Sequence, residues 1–133
     1  MGEQANHERL AAEVCDVLGR YTEAFEQGDL DGVSSFVQFP LAYIGDNKIT
    51  SYDRYPFDPA RLKEKTGFDH TRVDIDVVAI DDQKAHAVLK GTRHRADGSV
   101  IEGINAVYIL LNGDAGWKIA AFSGVRTPAE QLA

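Results

Sequence analysis

A single cysteine in 133 residues denies this chain an internal disulfide and any cysteine-based metal site. That thiol, Cys15, sits beside Val14 on a helical stretch, where a small buried side chain is the ordinary role. No histidine–carboxylate cluster has metal-ligand spacing and no glycine-rich phosphate loop occurs, so neither a metal nor a cofactor is expected. No run approaches the roughly 18 apolar residues of a membrane span. The opening MGEQANHERL is polar, without the apolar core of a signal peptide, and Asn6 stands where an N-acylation signal has Ser or Thr. These absences lead to the expectation of a cytoplasmic protein without membrane contact.

Positive charge is scarce as well. Lys and Arg number 14 against 21 Asp and Glu, a formal net charge of −7, and the acids are scattered rather than blocked. Such a surface argues against a nucleic-acid partner, because phosphate contact needs clustered Lys and Arg. The one dense basic run, Lys90 with Arg93, His94 and Arg95, reads as a solvated strand end.

What the chain does contain is 44% hydrophobic residues, enough for one domain over residues 1–133 with a proper core. Leu10, Val14, Val17, Leu18, Tyr21 and Phe25 recur at helical spacing and predict a helix over residues 6–27. Gly28 supplies a left-handed stop, and Asp29 caps a second, short helix carrying Leu30, Val33, Phe36 and Val37. Pro40 prevents its continuation. Residues 41–45 and 48–52 read as a hairpin about the turn Asp46-Asn47. Asp58-Pro59 places a cap before a proline at the first helical position, starting a third helix that stops near Gly67. The remainder turns to strands over residues 72–81, 85–95, 99–111 and 117–125, joined by tight turns into an antiparallel meander. Helices first and sheet second predict an α+β fold, with a curved sheet wrapped around the helices and a cavity between them.

Tyr21, followed eight residues later by Asp29 and then by Leu30 and Phe36, resembles the start of the nuclear transport factor 2-like superfamily. The closing Gly116-Trp117-Lys118-Ile119, entering the last strand after a turn, resembles its end, and the order of elements agrees throughout. The resemblance implies a cone-shaped curved antiparallel sheet, a pocket at its mouth and a homodimer formed through the sheet. The fold hosts enzymes, transport factors and assembly modules, so it does not by itself assign an activity.

Within that superfamily, Tyr21 stands where steroid delta-isomerases carry an oxyanion donor, a neutral phenol that stabilises a dienolate. The general base of those enzymes falls on Gly45, one residue from Asp46. Their protonated acid falls on Val107, two residues from Asn105 and on the same strand face. SnoaL-like cyclases, with their lenient requirements, remain compatible. The sequence therefore nominates Tyr21 as hydrogen-bond donor, Asn105 as a second polar contact, and Asp46 or His94 as proton acceptor. Each has an ordinary alternative: a core tyrosine, a structural amide, a turn aspartate, and a solvent-facing histidine. Phe36, Val107, Phe122 and Arg126 are the candidate ligand contacts, with Arg126 at the mouth facing an acidic group. The expected partner is a small hydrophobic molecule, turned over, if at all, by a cofactor-free isomerase, cyclase or dehydratase reaction. The alternative is a non-catalytic dimerisation or protein-interaction module. A cavity of several hundred Å³ with converging polar groups favours the ligand. A filled cone, or an exposed aromatic patch about Tyr52, Tyr55 and Phe57, favours protein partners.

Overall fold

The structure is a computed structural model, and it describes residues 2–132. Helix α1 spans Gly2–Glu26 and buries Leu10, Val14, Leu18, Tyr21 and Ala24 along one stripe. It begins ahead of the predicted start because the polar opening continues the same helix on its exposed side. Gly28 adopts φ 71°, and the Asp29 N–H closes the helix onto the Ala24 carbonyl at 3.0 Å. Asp29 Oδ1 in turn accepts the Gly32 N–H at 2.9 Å, capping α2 (Leu30–Ser35).

The second helix is shorter than its apolar spacing indicated. Phe36 is its C-cap, its carbonyl accepts the Ile119 N–H at 2.8 Å, and Val37 already opens strand β1 (Val37–Gly45). Pro40 lies inside that strand, within the stretch where its pairing shifts. The turn Asp46-Asn47 has φ 53° and 63°, the left-handed pair that matches strand twist in a tight hairpin, and leads to β2 (Lys48–Tyr52). Helix α3 (Pro59–Thr66) starts on Asp58, whose Oδ1 accepts the N–H groups of Ala60 and Arg61 at 3.1 and 3.3 Å. It ends at Gly67, with φ 77°.

Four long strands follow: β3 (Phe68–Ile80), β4 (Lys84–Arg95), β5 (Val100–Gly113) and β6 (Gly116–Pro128). They form the predicted antiparallel meander. The six strands make one sheet in the order β2-β1-β6-β5-β4-β3, in which β1 and β6 run parallel. That parallel pair joins the two ends of the chain's strand region and is the one pairing that no local turn dictates. The fold is α+β, a cone-shaped sheet with the helices on its inner side. Val14, Leu18, Val33, Leu41, Leu110 and Ile119 are fully buried between the layers. Each contributes roughly 1.5–3 kcal/mol by leaving water. The Trp117 indole N–H donates to Glu13 at 3.1 Å and ties α1 to β6. Cys15 is half-buried rather than enclosed, since it lies beside the apolar stripe and not on it. Among the described residues, no helix is long and apolar enough to cross a membrane.

Candidate functional site

The sheet's inner face, α1 and α3 enclose a cavity of about 370 Å³. Its deep wall is aromatic, with Tyr21 from α1, Tyr55 from the loop before α3, Tyr108 from β5 and Phe122 from β6. The hydroxyls of Tyr21 and Tyr55 are hydrogen-bonded at 2.6 Å. The ring of Tyr21 stands edge-on to Tyr55 and to Tyr108, at centroid distances of 6.2 and 5.7 Å. Phe122 stacks parallel on Tyr108 at 5.3 Å. Burial pushes the Tyr21 phenol well above its ordinary pKa, and the neighbouring Tyr108 and Tyr55 add to the rise. Burial likewise raises Tyr55 and Tyr108, while hydrogen bonding with Tyr21 and the charge of Arg93 offset part of the effect in each. All three are therefore neutral phenols, able to donate a proton in a hydrogen bond and poor at accepting one for good.

The outer wall is different in kind. Arg61 and Lys65 project from α3 one helical turn apart, Arg126 from β6 and Arg93 from β4, against a single carboxylate, Asp58. Arg93 is tightly held. Its Nη1 donates to Glu102 at 3.0 Å, and the guanidinium lies over the rings of Phe25 and Phe68, 5.2 and 5.9 Å from their centroids. Among the described residues its buried Nε has no hydrogen-bond acceptor. Asp58 Oδ1 is engaged in capping α3.

Strand parity decides which candidates reach this space. On β5, Ile104, Ala106 and Tyr108 line the cavity, so Asn105 and Val107 lie on the outer face and are exposed. The strand is apolar on both faces, and the nomination of Asn105 and Val107 chose the wrong one. Asp46 is an exposed turn residue, away from the cavity. His94 is neither solvent-facing nor in the cone: it is 5% exposed and occupied at both ring nitrogens. Its Nδ1 donates to the Gly98 carbonyl at 3.1 Å, Thr92 Oγ1 lies 2.7 Å from Nε2, and the ring stacks on His70 at 5.0 Å. Phe36 lines a separate shallow groove between α1 and α2. Tyr21, Phe122 and Arg126 do meet in the cavity.

Phe122 and Arg126 arrive there through a bulge. Ile109 pairs with Ala121 but Leu110 pairs with Ile119, so Ala120 is an extra residue in β6. Trp117 and Ile119 point inward before it, and Phe122, Gly124 and Arg126 line the cavity after it. The basic run on β4 is likewise not a solvated end: Arg93 turns inward, His94 is buried, and Arg95 donates from Nε to the Thr66 carbonyl at 2.9 Å. Sequence reasoning missed Tyr55, Tyr108, Arg93, Arg61 and Lys65 as site residues. The aromatic cluster before α3 was visible, but Tyr55 is buried in the cavity rather than exposed beside it. For Arg93 the available signal was its odd-numbered parity with Ala85, Ala87 and Leu89, which are buried. Among the described residues, no group of three or more His, Cys, Asp or Glu is placed to hold a metal ion.

Comparison with known proteins agrees with this architecture. A family model described as NTF2-like protein (DUF6841) matches residues 59–127, just over half of the chain. No curated protein matches it. Among solved structures, an NTF2-like protein with a cystatin-like fold from Novosphingobium aromaticivorans superposes with a TM-score of 0.67 at 13% identity, covering 92% of this chain and 85% of its own. An NTF2-like protein of unknown function from Shewanella oneidensis gives 0.65 at 17% identity, covering 85% and 96%. A candidate dehydratase of the NTF2-like family from Streptomyces avermitilis gives 0.62 at 12% identity, covering 88% and 95%. At these identities the likeness is one of fold.

Proposed function

The chain belongs to the NTF2-like family whose model it matches, and from that premise we propose that it binds a small, largely apolar molecule inside the cone. The observation that carries this reading is a cavity of about 370 Å³ with the Tyr21 and Tyr55 hydroxyls, 2.6 Å apart, on its wall. That volume lies within the roughly 300–1,000 Å³ usual for ligand sites. The neutral phenols would hydrogen-bond a ligand oxygen, and the stacked Tyr108 and Phe122 would flank its body.

The supporting geometry favours binding over acid–base turnover. Proton abstraction needs a basic group within reach of the substrate. Among the described residues Asp58 is the only carboxylate on the wall, and no histidine joins it. A dehydratase or isomerase reaction would therefore rest on Asp58 as acceptor and Tyr21 or Tyr55 as donor, which is the second reading. In either case the protein is read as cytoplasmic and as a homodimer. The dimer would pair the outer faces of the sheet, where Val107 and Val125 are 44% and 68% exposed.

Gly124 provides the test. A Cβ there would meet only Ala106 Cβ, at an ordinary 3.7 Å, and Gly124 lines the cavity, so the added bulk of Gly124→Leu is expected to occupy it. The variant should keep its fold by circular dichroism and lose uptake of small aromatic probes by calorimetry. Retained uptake at the parent's affinity would remove the cavity as the binding site.

A further inference from the structure

The charge on this wall does not match the rest of the molecule. The chain has 14 Lys and Arg against 21 Asp and Glu, yet four of the cations and only one of the acids, Asp58, line the cavity. Arg93 is already paired with Glu102. Arg61, Lys65 and Arg126 form no ion pair among the described residues, and they come from two elements, α3 and β6, that meet at this cavity. Scattered surface lysines would not converge in this way. Three unpaired cations at the opening of a low-dielectric pocket create a local positive potential on an otherwise acidic protein.

We propose that the occupant of this cavity is a small organic acid, an apolar or aromatic body with one carboxylate. The body lies against Tyr108 and Phe122, and the carboxylate reaches Arg61, Lys65 and Arg126. This inference rests on the ligand-binding reading above and names its substrate class. The aromatic wall taken alone would equally suit an organic cation held against ring faces. The three free cations disfavour that ligand, because like charges at the same opening repel it. A polyanion is excluded by size, since a cavity of about 370 Å³ does not admit a nucleotide chain. A carboxylate suits two guanidinium groups, which bind its paired oxygens through a planar fork. The Tyr21–Tyr55 pair is left for a second oxygen on the body, a hydroxyl or a ketone.

The experiment compares naphthalene-2-carboxylate with its neutral isostere naphthalene-2-carboxamide by calorimetry, on the intact protein. At about 20 mM salt the carboxylate should bind about tenfold more tightly than the amide, the size expected of charge-assisted contacts. The preference should shrink in about 1 M salt, where the screening length falls to about 3 Å. The triple variant Arg61→Gln, Lys65→Gln, Arg126→Gln should bring the two affinities together. Arg20→Gln, which removes one unit charge from the exposed side of α1, and each single variant of the triple provide the like-for-like comparison: Arg20→Gln should leave the ratio as in the parent, and the single cavity variants should lower it. Equal affinities in the parent, a tighter amide, or a preference that survives the triple variant would overturn the proposal while leaving the pocket intact. Binding of neither probe to the parent sinks the ligand reading and the anion with it. Should the triple variant not fold, the parent's carboxylate-to-amide ratio and its salt dependence decide alone.

Discussion

Tyr21 and Tyr55 satisfy each other's hydroxyls on the buried wall of the cavity, and this makes each phenol sensitive to the other. Tyr21→Phe leaves the Tyr55 hydroxyl without its buried partner, at a cost of about 1–2 kcal/mol, which urea denaturation would measure. The same replacement should weaken probe binding several-fold if the pair contacts the ligand. A second consequence concerns alkali. Burial raises Tyr21, Tyr55 and Tyr108 above their ordinary value of 10.0, so the folded protein keeps them protonated where the unfolded chain would ionise them. Stability from this source is fully present below about pH 10 and declines as pH rises beyond it. Near-ultraviolet titration at about pH 10.5 should find these three of the five tyrosines still protonated, and ionising only as the fold is lost. Full ionisation of all five with the far-ultraviolet spectrum intact would show the phenols to be exposed.

The elements carrying these residues were unevenly legible. Helix boundaries were open to reading because capping chemistry is local: Gly28, Asp29, Asp58 and Gly67 each do in the structure what their residue types predict. The strand faces were not. In β5 both faces are apolar, Ile104, Ala106 and Tyr108 inside and Val107 and Ile109 outside, so period two alone leaves Asn105 on either side. In β6 the extra residue Ala120 reverses the parity of everything after it. Deleting Ala120 would restore regular pairing and leave Phe122 opposite Tyr108, with Phe122 and Arg126 still facing inward. The variant should therefore keep probe uptake in calorimetry. Lost uptake in a folded variant would mean that the local kink of the bulge itself shapes the site.

The whole molecule presents two contrasting faces of one sheet. The inner face holds the cavity, while the outer face leaves Val107 and Val125 in water. If a second copy covers them, Val107→Lys with Val125→Lys should convert a dimer to a monomer in light scattering, without loss of secondary structure. A parent that is monomeric at high concentration would rule that assembly out. The cavity and the exposed Val107 and Val125 lie on opposite sides of the same strands, so variants of one face should leave the other measurable.

Local chemistry in the sequence determined the helices, their caps, the hairpin turn and the succession of strands, because each depends on residues a few positions apart. It also placed Tyr21 on the buried stripe of α1, since helical period alone assigns that face. The meeting of Tyr21 with Tyr55, separated by 34 positions, and of Arg61 and Lys65 with Arg126, was decided only by tertiary structure. Those encounters depend on the parallel β1–β6 pairing and the β6 bulge, and pairings between distant segments are set by how the whole sheet closes.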